Sequence, residues 1–203
     1  MNDTMKTIAK PFQTSIDIKK SQFICRLFPA QNEKEAKEII NKISEEYKDA
    51  THNCTAYVVS DGEGFDDDGE PGGTAGKPMI NVLRKNEIHN VTAVVTRYFG
   101  GIKLGAGGLV RAYSKSVMEA IGQAEILEIE EYDIYTITFE YSEIKAADTE
   151  VRNNNLEVID KEYSNKVSYD IVSKDNRDIV KIFEKYSGKI ETSFKNKRFL
   201  EKN

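Results

Sequence analysis

Hydrophobic and polar residues change their spacing along this chain, and each change marks a new element. Phe12–Ile18 and Ser21–Phe28 read as two short strands, with Ile16, Ile18, Phe23 and Leu27 turned inward. Asn32 then stands where a helix cap is needed, followed by Glu33 and Glu35 in the first turn, where the helix dipole favours acids. Ala36, Ile40, Ile43 and Tyr47 form the apolar stripe of that helix, widened by Ile39. Asn53–Val59 reads as a third strand, Asp61–Gly73 as an acidic loop, and Thr74–Arg84 as a short helix with Pro78 in its first turn. Val91–Tyr98 is rich in β-branched and aromatic residues and predicts a buried strand. After a glycine-rich turn, Leu109, Tyr113, Val117 and Ile121 recur at helical spacing. The order β-β-α-β-α-β-α predicts a two-layer α/β sandwich, its helices covering one face of a mostly antiparallel sheet.

The pattern restarts past Gly122. Tyr132–Tyr141 alternates apolar and polar residues over ten positions, a strong strand signal. Ile144, Ala147 and Val151 mark a helix ending near Asn153–Asn155, and Leu156–Tyr163 and Lys166–Val172 flank a turn at Ser164–Asn165. Asp175 is the expected start of a helix carrying Ile179, Ile182, Phe183 and Tyr186, stopped by Gly188. Lys189–Phe194 supplies a last strand, and the lysine-rich tail from Lys195 is expected to fray. This β-α-β-β-α-β order is that of a ferredoxin-like unit. The chain is therefore an α+β protein of two domains, 1–127 and 128–203, joined by a glutamate-rich bridge near residues 125–131.

Composition narrows the class. With 39% hydrophobic and 31% charged residues, the chain reads as a soluble globular protein. It has no apolar run of the roughly 18–20 residues needed for a membrane span, and its first residues lack a signal-peptide core. Two cysteines are too few for a disulfide scaffold, so a cytoplasmic protein with reduced thiols is expected. The net charge of −5 argues against non-specific DNA or RNA binding driven by phosphate neutralisation. Residues 1–127 are nearly balanced, with 16 Lys and Arg against 17 Asp and Glu, so the acidity lies mainly in the second domain.

Candidate chemistry gathers in two glycine-rich helix entries. The first, Gly72-Gly73-Thr74-Ala75-Gly76-Lys77, follows the acids Asp66, Asp67, Asp68 and Glu70. The second holds Gly100, Gly101, Gly105, Gly107 and Gly108 between the expected strand and helix. Glycine turns that open helices can aim several amides at one anion, and Lys77, Arg97, Lys103 and Arg111 add positive charge beside them. The competing reading is a pair of tightly packed turns. No Walker-type phosphate loop is present. Asp67, Asp68 and Glu70 can hold Mg²⁺ through oxygen ligands; alternatively, Asp68 and Glu70 can bond amides of neighbouring loops or pair with Arg97 or Arg111, or the acids can contact a protein partner. His52 and Cys54 share a strand face, which admits a thiol catalyst, although cysteines are more often buried and inert. Tyr98 and Phe99 close the core beneath the loop or stack on bases.

These stretches carry a likeness. DDGEPGGTAGKP (Asp67–Pro78) and VVTRYFGGIKLGAGGLVRAYS (Val94–Ser114), with THNC (Thr51–Cys54) and SQFIC (Ser21–Cys25), resemble the YigZ/IMPACT family over about residues 10–125. The remainder is similar to the small C-terminal domain of the family's bacterial members. The resemblance implies a first domain like the second domain of a small-subunit ribosomal protein and a second like the last domain of elongation factor G. The family's eukaryotic members are implicated in translational control, competing for the activator of a starvation-sensing kinase. For a chain of the bacterial kind this implies a looser role in translation or nucleic-acid binding.

The reading is a non-enzymatic binding protein linked to translation or stress regulation, working without a cofactor. It contacts RNA, the ribosome or a protein partner through Gly72, Gly73, Thr74, Gly76, Lys77, Arg97, Gly100, Gly101, Lys103, Gly107, Gly108 and Arg111. The alternative is an enzyme on a phosphate-containing substrate, with Mg²⁺ held by Asp67, Asp68 and Glu70.

Overall fold

The computed structural model describes residues 5–172 and 178–201. In chain order the strands and helices are β1 (Met5–Ile8), β2 (Phe12–Ile18), β3 (Ser21–Pro29), α1 (Glu33–Glu46), β4 (His52–Val59), β5 (Gly62–Asp66), α2 (Gly76–Lys85), β6 (Val91–Tyr98) and α3 (Ala106–Gln123). They continue as β7 (Ile126–Phe139), α4 (Ile144–Asn153), β8 (Glu157–Tyr163), β9 (Val167–Val172), α5 (Ile179–Phe183) and β10 (Ile190–Glu201). The result is a mixed α+β chain with two antiparallel sheets.

The first sheet has the order β2-β3-β6-β4-β5. Alternation along its strands sends side chains to opposite faces. Phe23, Cys25, Leu27, Cys54, Ala56, Ala93 and Val95 form one buried cluster with Met79, Leu83, Tyr113 and Val117 of α2 and α3. Tyr57 and Val59 point the other way and pack with Ala36, Ile39 and Ile40 of α1. The sheet is thus covered on both faces, where the strand-helix order alone suggested two layers. The α1 side also buries a polar chain: Arg26 donates to Thr96 Oγ1 at 2.8 Å, Thr96 to Asn53 Oδ1 at 2.8 Å, and Asn53 Nδ2 to the Tyr47 carbonyl at 3.0 Å. Asn32 caps α1, and Glu35 returns a bond to the Gln31 amide at 2.8 Å.

Two strands were not visible in the sequence pattern. β5 occupies the first part of the expected acidic loop and pairs with β4 at the sheet edge. Its glycines hide it: a Cβ on Gly64 would lie 2.6 Å from the Tyr57 hydroxyl, so the close packing of Tyr57 removes the side chain that would have signalled a strand. β1 pairs with residues 126–129 of β7, burying Ile8 and Ile129. The glutamate-rich bridge is therefore the first part of a 14-residue strand.

The chain divides into two units, one through Glu130 and one from Glu131 to Leu200, so the expected division at 127/128 falls inside β7. The second unit has the element order β-α-β-β-α-β and the strand order β10-β7-β9-β8. Ile137, Phe139, Val167, Tyr169 and Ile171 pack with Ala147 of α4 and with Ile179 and Phe183 of α5. Asp178 caps α5, donated to by the Lys181 amide at 3.1 Å; the expected start at Asp175 lies outside the described residues. Among the described residues, the lysine-rich tail is strand through Glu201 rather than frayed end. Lys195 meets Asp170 at 2.6 Å and Lys197 meets Glu131 at 2.8 Å, so its charges are met by acids of the same unit.

Candidate functional site

The four motif stretches meet around one buried carboxylate. β6 places Arg97 opposite His52 on β4 and Phe23 on β3, which brings the SQFIC, THNC and glycine-loop segments side by side. The loop after β5 then crosses the ends of these strands. Glu70, nearly sheathed, accepts from Arg97 Nη1 at 2.6 Å and from the Tyr113 hydroxyl at 2.7 Å through Oε1. Its other oxygen lies 3.7 Å from His52 Nε2. Arg97 also donates to Ser21 Oγ at 3.3 Å, and its guanidinium lies 5.3 Å from the Phe23 ring centre and 5.4 Å from that of Phe99. Arg97 is thus a buried ion-pair partner, not an outward cation, and its Nε has no hydrogen-bond partner among the described residues.

Each acid of the cluster has its own task. Asp67 Oδ1 accepts from the amides of Ala75 at 3.0 Å and Gly76 at 2.8 Å, and Oδ2 from that of Gly73 at 2.6 Å. Burial raises the Asp67 pKa, but these three bonds outweigh it and hold the carboxyl below its ordinary range. Asp68 takes a left-handed φ of +42° and accepts the Asn53 amide at 2.5 Å. The His52 ring donates from Nδ1 to the Asp68 carbonyl at 2.7 Å, since a carbonyl can only accept. The three carboxylates therefore point at different partners. Among the described residues no group of three or more His, Cys, Asp or Glu is placed to hold a metal ion.

Cys54 is fully buried, its thiol 3.0 Å from the Asp67 carbonyl and 3.3 Å from the Tyr113 hydroxyl. Burial pushes its pKa far above the ordinary value, with the nearby Glu70, Asp68 and Asp67 charges adding to the rise. The thiol stays protonated, and the thiolate a catalyst requires is disfavoured. Cys25 is likewise pushed up, to about 12, by burial. Burial, followed by the neighbouring Cys54 and Glu70, also raises the Tyr113 phenol, which keeps its proton to donate. Sequence reasoning missed Ser21 and Tyr113 as site residues. Both lay inside the quoted motifs, but Tyr113 fitted an apolar helix stripe and Ser21 a strand start.

The two glycine entries end up in opposite states. At α2, Asp67 already occupies the amides of Gly73, Ala75 and Gly76, and the Thr74 hydroxyl is turned to the Pro71 carbonyl at 2.6 Å. Gly72 is exposed, and Lys77 is exposed on the first turn. At α3 the cap residue is Gly105, with no side-chain bond to the first turn and no acid within it. Gly101 and Gly105 take φ of +84° and +73°, and Gly100 lies against the Lys20 carbonyl with its amide donating to Ser21 Oγ at 3.2 Å. Gly107 and Gly108 sit in the first turn of α3, and Arg111 Nη1 would be 3.6 Å from a Cβ on Gly107. Lys103 and Arg111 are exposed, as are Phe99 at 44% and Ile102 at 41%. Tyr98 donates to Asp49 at the strand end.

Comparison with known proteins covers these same motifs. The family model described as the Impact N-terminal domain matches residues 19–121. The IMPACT family member YvyE of Bacillus subtilis (strain 168) is 42% identical over 167 residues, 81% of this chain and 77% of that protein. The IMPACT family member YigZ of Escherichia coli (strain K12) is 38% identical over 160 residues, 76% of this chain and 78% of its own. A crystal structure of a hypothetical protein aligns over 95% of this chain and 97% of that one, at 32% identity and a TM-score of 0.72. With its motif stretches gathered around Glu70 and these relatives spanning most of its length, the chain belongs to the IMPACT family.

Proposed function

We propose that this protein is a cytoplasmic, non-enzymatic regulator linked to translation, which binds an anionic partner at the loop entering α3 and needs no cofactor. One observation carries the reading: the first amides of α3 are uncapped, while those of α2 are filled by Asp67. A helix start with free amides attracts phosphate or carboxylate, and the exposed Lys103 and Arg111 strengthen that attraction. Exposed Phe99 and Ile102 add apolar contact at the same loop. The buried Glu70–Arg97 pair serves this surface by fixing Phe99 and Gly100 from below. Membership of a family with members in translational control makes the ribosome and its RNA the leading candidates. In this reading the second unit is ferredoxin-like and supplies a further contact, and the first resembles a ribosomal-protein domain.

Co-sedimentation with ribosomes and gel shifts with RNA across a salt series test the proposal. Retention at low salt is expected to weaken as salt rises, and a Lys103→Glu/Arg111→Glu variant is expected to lower the salt slope by about 2. Absence of retention at low salt, or a double variant that behaves as the parent, overturns it. Among the described residues no helix is long and apolar enough to cross a membrane.

A further inference from the structure

The solvent sides of α2 and α3 carry two stripes of the same period. On α2, Lys77, Asn81 and Lys85 recur every four residues; on α3, Val110, Ser114 and Met118 do the same. Residues four apart stand above one another on a helix. Together the stripes line a groove of about 540 Å³ between the two helices.

The lining has a definite character. Its only ionisable side chains are the two lysines, and neither forms an ion pair among the described residues. Both lysines are exposed, so their charge is open to an incoming acidic partner. The opposite wall is apolar at both ends, Met118 being 56% exposed and Val110 36%. Asn81 and Ser114 provide a polar middle. The lining holds no aromatic ring on which a base would stack. Two helices side by side present the furrow into which a third helix packs.

We propose that this groove docks an acidic amphipathic helix of a partner protein. Lys77 and Lys85 are about 12 Å apart along α2 at 1.5 Å per residue. Carboxylates two turns apart on the incoming helix meet them, and the aliphatic side chains between rest on Val110 and Met118. This is helix-in-groove recognition with charge complementarity setting the register. It involves neither Lys103 nor the open start of α3, so it stands or falls apart from phosphate binding there.

The test uses the full chain and a fluorescently labelled helical peptide carrying Glu at positions i and i+7 beside a leucine stripe. A second peptide carries Lys in place of Glu. Anisotropy is expected to show saturable binding of the acidic peptide and none of the basic one. Lys77→Glu/Lys85→Glu is expected to weaken the acidic peptide by about tenfold, the sum of two exposed ion pairs turned repulsive, and to admit the basic peptide. Met118→Gln, at a well-exposed position, is expected to weaken it several-fold with unchanged circular dichroism. Lys103→Glu is expected to leave the affinity as it was. Amide shifts should map to α2 and α3. Four results overturn the proposal: no binding at low salt, affinity indifferent to both groove variants, shifts mapping elsewhere, or a groove that proves to be occupied by a second copy or by single-stranded RNA in place of the peptide.

Discussion

At the start of α2, Asp67 Oδ1 meets the amides of Ala75 and Gly76 while Oδ2 meets that of Gly73, so one side chain does the work of a cap from outside the helix. Asp67→Asn keeps the shape but turns a donor toward at least one of these amides. A loss of about 1–2 kcal/mol is expected, the range for removing a good N-cap. The pH dependence follows from the depressed pKa. A carboxyl whose folded pKa lies below its ordinary 3.8 contributes fully above that value and loses the contribution as pH falls below it. Urea unfolding should therefore separate parent and variant at pH 6 and bring them progressively together as the pH falls below 3.8. A gap that stays constant over that range would show that the charge of Asp67 is not what stabilises the turn.

The glycine loop before α3 contains residues with different physical reasons for being glycine, and substitution separates them. A Cβ on Gly100 would lie 1.9 Å from the Lys20 carbonyl oxygen, a backbone atom that cannot swing aside. Gly100→Ala should cost about 3 kcal/mol through forced displacement of the Lys20 turn. Gly107 is helical, and a Cβ there meets only Arg111 at 3.6 Å, an ordinary contact. Gly107→Ala should raise stability by about 0.5 kcal/mol, because alanine loses less backbone entropy in a helix. Thermal and urea unfolding of the two variants read these opposite signs. If both prove neutral, the loop is looser than its packing implies. A Gly107→Ala protein that is more stable yet binds RNA less well would locate close ligand approach at the first turn of α3.

At the scale of the whole chain, β7 serves both units: residues 126–129 pair with β1, and Ile134–Phe139 pair with β9. The first unit therefore needs the start of a strand that continues into the second. A fragment of residues 1–130 is expected to unfold in one cooperative transition. A fragment of residues 1–124 loses the β1–β7 pairing, keeps the bridge between Lys6 and Ile88, and uncovers part of Ile8, which is 2% accessible in the intact chain. Burying one such side chain is worth roughly 1.5–3 kcal/mol, so the shorter fragment should melt several degrees lower by circular dichroism. Equal melting temperatures would mean that the β1–β7 pairing contributes nothing to the first unit.

Local pattern by itself determined the elements with a clear period: the Val91–Tyr98 strand, the stripes of α1 and α3, and the β-α-β-β-α-β order of the second unit. Buried faces impose those spacings on the sequence directly. The motif residues were also legible, as a set. Their roles were not, because a role depends on which partner arrives from elsewhere in the chain. Arg97 could serve as an outward cation or as a partner of the acids, and the fold sets Glu70, 27 residues away, beside it at 2.6 Å. Asp67, Asp68 and Glu70 admitted a shared metal or separate partners, and the turn sends each to a different neighbour. β1 and β5 were hidden because a short strand and a glycine-bearing edge strand acquire their identity from the strand they pair with. The two glycine entries looked alike in sequence, and tertiary structure alone separated them. It filled one with Asp67 and left the other open, because only folding can bring a carboxylate within 3 Å of amides six to nine residues further on.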